Sequence, residues 1–272
     1  MKRIFVLALF ITICLSDMSK VSAQTVETAF VDGLYETTST GVKAPMPLPI
    51  IREADVMWEK TVWRAIDFRQ KMNQGFYFPQ IEHNNLRNLY TVLTDALEAG
   101  EITAYAADDD NLRTGELKTP IMYSAIKADL ARDKFKFDKS EIERCYVKEK
   151  WYFDKQRSQF LVRIIAIAPV RVLRDLNTKE QIRDPQVLFW VPYNDATRKV
   201  LAQAPFYNRN NSSNRLSYDE VFLNRMFDSY IYREDNIYDR SIADYADGVE
   251  ALIESERIKQ EIINKEQFLW EY

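Results

Sequence analysis

CYVKEKWYFDKQRSQFLVRIIAIA, residues 145–168, decides how this chain folds. From Cys145 the side chains alternate. Cys145, Val147, Trp151 and Phe153 point one way, and Tyr146, Lys148, Lys150 and Tyr152 the other, which is the period of a half-buried strand. Asp154 to Ser158 is a polar turn, and Phe160 to Ala168 is rich in Val and Ile. The pair predicts a β-hairpin.

Working outward, Val187 to Val191 predicts a third strand and Asp195 to Ala202 a short helix. Residues 205–216 form an Asn- and Ser-rich loop. Ser217 and Glu220 have capping-box spacing, opening a helix whose buried side takes in Val221, Phe222, Met226, Phe227 and Tyr230. Residues 249–270 read as a charged helix. Glu261 and Lys265 pair at i, i+4, and Leu252, Ile258, Ile262 and Leu269 give a narrow apolar stripe.

Toward the N-terminus, residues 121–133 predict a helix and Glu101 to Ala106 a short strand. Leu86, Leu89, Tyr90, Leu93, Ala96 and Leu97 make an apolar face over 85–99, with Asn84 as N-cap and Gly100 as stop. Residues 55–72 also read as helical, with Asp55 as cap and Trp58, Val62, Ala65, Ile66 and Arg69 on one face. Phe76-Tyr77-Phe78, between Gly75 and Pro79, is an aromatic connector. The sum is an α+β fold: a small antiparallel sheet packed with helices, flanked by an extended N-terminal arm and a charged C-terminal helix.

The termini set the organisation. Lys2 and Arg3, the apolar run Ile4 to Leu15, and Val21-Ser22-Ala23 have the layout of a cleaved export signal over 1–23. Cys14 lies inside that run behind Ile13 and leaves with it. The arm is 24–50, where Pro45, Pro47 and Pro49 alternate with Met46 and Leu48 and favour an extended backbone. Such a segment reads either as a disordered leader or, since Met46, Leu48, Ile50 and Ile51 would be wasted in solvent, as an arm that docks on a neighbour. A mixed domain follows over 51–245, then the helix within 246–272.

Composition narrows the function. The chain has 37 basic and 41 acidic residues. Cleavage removes Lys2, Arg3, Lys20 and Asp17, leaving 34 and 40, a net charge of −6. That balance argues against nucleic acid and anionic membrane surfaces. No second segment is long and apolar enough to span a membrane. The six glycines are too scattered for a phosphate-binding loop. Cys145 alone cannot form an intrachain disulfide, and one histidine cannot build a zinc site.

Chemistry-bearing residues are few. His83, at a helix start with no nucleophile-elbow serine in the chain, reads as a capping or surface residue. Cys145 reads as a buried structural thiol. Asp108, Asp109 and Asp110 lack the alternating spacing of a calcium loop. No catalytic residue, cofactor or metal is expected. One cluster stands out: Arg225, Asp228, Arg233, Glu234, Asp235, Asp239 and Arg240, interleaved with Phe222, Phe227, Tyr230, Tyr232, Tyr238 and Tyr245. Arg–carboxylate pairs packed by aromatics suit a contact between chains, or equally an internal ion-pair layer over the core. The candidate interface is therefore Met46, Leu48 and Ile50 with Arg225, Asp228, Arg233, Asp235, Tyr238, Asp239 and Arg240.

Several blocks are specific in order: Asp55-Val56-Met57-Trp58-Glu59-Lys60 with Trp63-Arg64-Ala65-Ile66-Asp67; Gly100-Glu101-Ile102-Thr103-Ala104-Tyr105; Arg215 to Phe222; Glu234 to Arg240; and Leu252 to Lys259, with Leu269-Trp270-Glu271-Tyr272 closing the chain. In these the chain resembles the gliding motility and type IX secretion family known as GldN or PorN. The resemblance implies a periplasmic, non-catalytic subunit. It would assemble with an outer-membrane lipoprotein, GldK or PorK, into a ring, with contacts to the inner-membrane motor proteins GldL and GldM. Two other readings stay open from the residues: an exported glycan-binding module using Tyr and Trp as platforms, and a carboxylate-based hydrolase.

Overall fold

The computed structural model describes residues 43–83, 85–107, 117–175, 178, 180–208, 216–238 and 240–270. The signal 1–23, most of the arm, Asn84, Asp108 to Asp110, Asp239 and the side chain of Leu269 lie outside them. The hairpin forms as its alternation requires: β4 (Ile142–Asp154) runs antiparallel to β5 (Gln159–Arg171). Asp154 fixes the turn by accepting from the Gln156 and Arg157 backbone N–H groups.

The strand beside β4 corrects the reading of 55–72. Those residues form β1 (Val56–Asp67), not a helix, and pair with β4 along nearly its whole length. Trp58, Val62 and Ile66 are four apart, a spacing that fits both a helical stripe and one strand face. The Val, Thr, Ile and Trp content favours the strand, and long-range pairing decides it. Trp63 and Ala65 therefore face opposite to Val62 and Ile66.

Beyond β1 lies β10 (Tyr230–Glu234), an edge strand the sequence reading did not anticipate. The predicted strand 187–191 splits in two, β6 (Gln186–Val187) and β7 (Val191–Pro192). Both pair with β5, while Trp190 bridges to Tyr105. The main antiparallel sheet runs β10-β1-β4-β5-β6, with β7 also on β5. Two small pairs complete the strands: β2 (Ala104–Tyr105) with β3 (Pro120–Ile121), and β8 (Pro205–Phe206) with β9 (Leu216–Ser217).

Helices cover the face of Ile66, Cys145, Val147 and Ile167. They are α1 (Gln74–Tyr77), α2 (Leu89–Glu98), α3 (Tyr123–Arg132), α4 (Asp195–Gln203) and α5 (Tyr218–Leu223). While Phe78 stays exposed, Phe76 brings the aromatic connector into this core, contacting the rings of Phe68, Phe206, Tyr218, Phe222 and Phe227. Gly75 leaves room for it, because a Cβ there would strike the Phe206 ring. Helix α2 starts later than predicted, at an Asn88 cap whose side chain accepts from Thr91 N–H at 2.8 Å. A tight His83–Leu86 turn, with Asn85 at φ 63°, precedes it. Gly100, at φ 72°, stops it as expected.

The capping box forms as predicted. Ser217 accepts from Glu220 N–H, and the Glu220 carboxylate accepts from Ser217 N–H at 2.8 Å. Helix α5 is shorter than predicted, because Arg225 enters the left-handed region at φ 53°. Met226 is consequently exposed, and Tyr230 opens β10. Ser217→Ala should lower the unfolding free energy by about 1 kcal/mol, the usual worth of such a cap, measured in denaturant titration.

A second cluster (Val62, Ile231, Ile242, Ile258, Ile262) packs the long helix α6 (Val249–Trp270) against β10. Ser255 on α6 accepts from Ile231 N–H at 2.9 Å, so a side chain covers part of the sheet edge. On the opposite face Trp63, Ala166, Ala168 and Trp190 form a third cluster.

Candidate functional site

Between the first two core clusters runs a polar belt on one sheet face. Register places Val62 opposite Glu149, and Arg64 opposite Val147. Glu149 has no exposed surface. One of its oxygens accepts from Arg225 at 2.8 Å and the other from Trp151 Nε1 at 3.2 Å. The Arg225 guanidinium lies 5.3 Å from the ring centres of both Trp151 and Phe227. Arg64 donates to Ser229 Oγ and to the Ser229 carbonyl, and burial lowers its pKa.

The remaining cluster residues divide between interior and surface. Arg233 is buried, its guanidinium 4.5 Å from the Trp63 ring centre. Asp228, Asp235, Tyr238 and Arg240 are exposed. The loop carrying the last three is cinched by Asn236. Its side chain donates to the Glu234 and Arg240 carbonyls and accepts from Tyr238 and Arg240 N–H. Arg240 stacks between Tyr238 and Tyr245. Ile237, at 97 % exposed, and Tyr238, at 73 %, stand at the tip of this fixed loop.

The described end of the arm, 43–50, lies against the body mainly through its backbone. Arg198 donates to the Met46 carbonyl, Arg163 to the Pro49 carbonyl at 2.7 Å, and Lys43 pairs with Glu220 at 2.9 Å. A segment with alternate prolines has few N–H groups to offer but keeps every carbonyl, so arginine donors suit it. Met46 and Ile50 point outward, 66 % and 88 % exposed, while Leu48 is half-buried. Arg198 is itself fixed by two bonds at 3.1 Å to Asp219, which also accepts from Tyr193 Oη at 2.6 Å. The sequence reading missed Arg198 and Arg163. An arginine on the apolar side of α4, beside Leu201 and Ala202, was the available signal.

The chemistry-bearing residues fall in plain settings. Cys145 is fully buried, and burial pushes its thiol up to about 12, far from a nucleophile's range. His83 is exposed in its turn. Among the described residues no His, Cys, Asp or Glu group is arranged to hold a metal. A groove of about 550 Å³ opens beside the arm, lined by Ile51, Met57, Trp58, Tyr152 and Arg163. Its Glu59 is paired with Lys150 at 3.0 Å. Trp58 stacks on Phe160, and Tyr152 is buried. No described helix is long and apolar enough to cross a membrane.

Residues 51–271 match the family model described as gliding motility associated protein GldN. No curated protein matches the chain. A match over most of the sequence shows the family: this chain belongs to the GldN family, whose members are components of gliding motility and type IX secretion and which is not a known enzyme family.

Proposed function

We propose that the chain is a non-catalytic structural subunit of the periplasmic ring of the type IX secretion and gliding machinery. In this reading it associates with copies of itself and is held at the outer membrane by a lipoprotein of the GldK or PorK type. Contacts to GldL and GldM link it to the motor. One observation carries the proposal. Among the described residues the buried groups Glu149, Arg171, Arg198 and Asp219 are held in structural ion pairs, while apolar and aromatic side chains on fixed supports face outward. Met46 and Ile50 sit on the bonded arm, and Ile237 and Tyr238 on the Asn236-cinched loop. Exposed apolar groups on rigid supports are what an assembly surface needs.

The mature chain, from Gln24, should co-elute with its lipoprotein partner and give rings in electron micrographs. Met46→Asp/Ile50→Asp and Tyr238→Ala/Arg240→Ala should each weaken co-elution by about tenfold or more if these are contact residues. The unfolding midpoint should barely move, because exposed substitutions typically stay within about 0.5 kcal/mol. Unchanged co-elution by both variants would remove these surfaces from the interface, and absence of any complex would remove the reading itself.

A further inference from the structure

The two edges of the main sheet carry complementary surfaces. At the β10 edge, helix α6 buries Ser255, Ile258 and Ile262 and turns the opposite side outward. There Val249, Leu252 and Ile253 are exposed (72 %, 58 % and 64 %), with the exposed acids Asp247, Glu250 and Glu256 beside them, the last also paired with Lys259 on the same helix at 3.1 Å. Helical spacing puts Val249, Leu252, Ile253 and Glu256 on one face. At the β6 edge the segment after α3 carries the opposite charge. Arg171 at the end of β5 is fully buried; it pairs with Asp133 and Glu141 at 2.6 Å and donates to the Phe135 carbonyl. Arg183 pairs with the same Asp133 and donates to Gln186 of β6. These bonds clamp the segment while its other groups face out: Lys134, Lys136 and Lys139 are exposed, as are Phe135 at 43 % and Ile182, next to Arg183 in the chain, at 50 %.

We infer that these are the two halves of one contact between copies of this chain. The outward face of α6 on one copy seats against the Lys134–Lys139 segment of the next, with Leu252 and Ile253 against Phe135. Glu250 meets Lys134, and Glu256 meets Lys136 by exchanging its Lys259 partner. The occupant is a second copy because the acidic, apolar patch and the basic, apolar patch are carried by the same molecule and complement each other in charge. Each also lies on an internally bonded support that needs no rearrangement to bind. The patches flank strands four positions apart, roughly 19 Å across the sheet. Each contact therefore leaves one patch free on either side, and the association runs head to tail. This assignment rests on the ring reading and specifies where its subunits touch.

The test is disulfide cross-linking in cells. Phe135→Cys/Ile253→Cys should give a ladder of dimer, trimer and higher species under mild oxidation, and neither single variant should. The native Cys145, fully buried, stays silent. Lys134→Glu/Lys136→Glu should lower the assembled fraction about tenfold, and adding Glu250→Lys/Glu256→Lys should restore it to within about twofold. Assemblies of normal size with no ladder, or a single cysteine that cross-links to a dimer, would overturn the contact and leave the ring standing. If the unsubstituted chain forms no assembly at all, the ring reading falls and this contact with it.

Discussion

Arg225→Ala should lower the unfolding free energy by about 3 kcal/mol, because it strands a charge in the interior. Glu149 has no exposed surface and Arg225 is its cationic hydrogen-bond partner at 2.8 Å. Without it the carboxylate keeps the Trp151 donor and the more distant field of Arg64. The reverse substitution, Glu149→Ala, should cost less. The Arg225 side chain is 26 % exposed and its guanidinium can turn to water. Backbone geometry separates a second contribution. Arg225 sits at φ 53°, where a side chain costs about 1 kcal/mol and glycine nothing. Arg225→Gly should therefore be about 1 kcal/mol milder than Arg225→Ala. Urea titration of the three variants and the Arg225→Ala/Glu149→Ala double variant measures this. Equal costs for Ala and Gly would refute the backbone contribution. A double variant as costly as the two singles summed would refute the pairing.

The same pair shows what the sequence reading could and could not reach. Charge and aromatic content around 225–240 were visible, but composition left a chain-to-chain surface and an internal layer equally open. The partner that turns Arg225 inward is Glu149, seventy-six residues away, and only the packing of the loop after α5 against β4 brings the two together. Register explains the error at 55–72. Trp58, Val62 and Ile66 satisfy two periods at once, and the β-branched and aromatic content only tips the balance until pairing with β4 and β10 decides it. By contrast the β4–β5 hairpin, the Ser217–Glu220 capping box and the Gly100 stop depend on neighbours within a few residues, and each was legible. The arm anchors were hidden for another reason. Arg198 and Arg163 donate to backbone carbonyls, which every residue has, so the acceptor leaves no mark in the sequence.

Arg198→Ala should be the most damaging single change to the body, with a loss of about 3–5 kcal/mol. Both members of its pair are almost wholly buried, 2 % and 3 % exposed at the side chain, so neither can recover water when the other is removed. Asp219 would retain only the Tyr193 hydroxyl, whose own pKa is raised by burial and by this carboxylate. Asp219 is buried in the first turn of α5, which keeps a compensating ion from solvent away. Arg198→Lys should recover only part of the loss. One ammonium cannot reproduce the two parallel bonds to Asp219 and also reach the Met46 carbonyl. The second consequence is local. With the Met46 carbonyl released, the arm keeps Arg163 on Pro49 and the Lys43–Glu220 pair, which is 43 % and 37 % exposed and adds little. Limited proteolysis should therefore cut near residues 44–48 faster in Arg198→Lys than in the parent at a temperature where both bodies are folded. Asp219→Asn, which leaves the arginine in place to hold Met46, should destabilise the body without that local increase. Equal cleavage in the parent and both variants would mean that the arm is held by something other than Arg198.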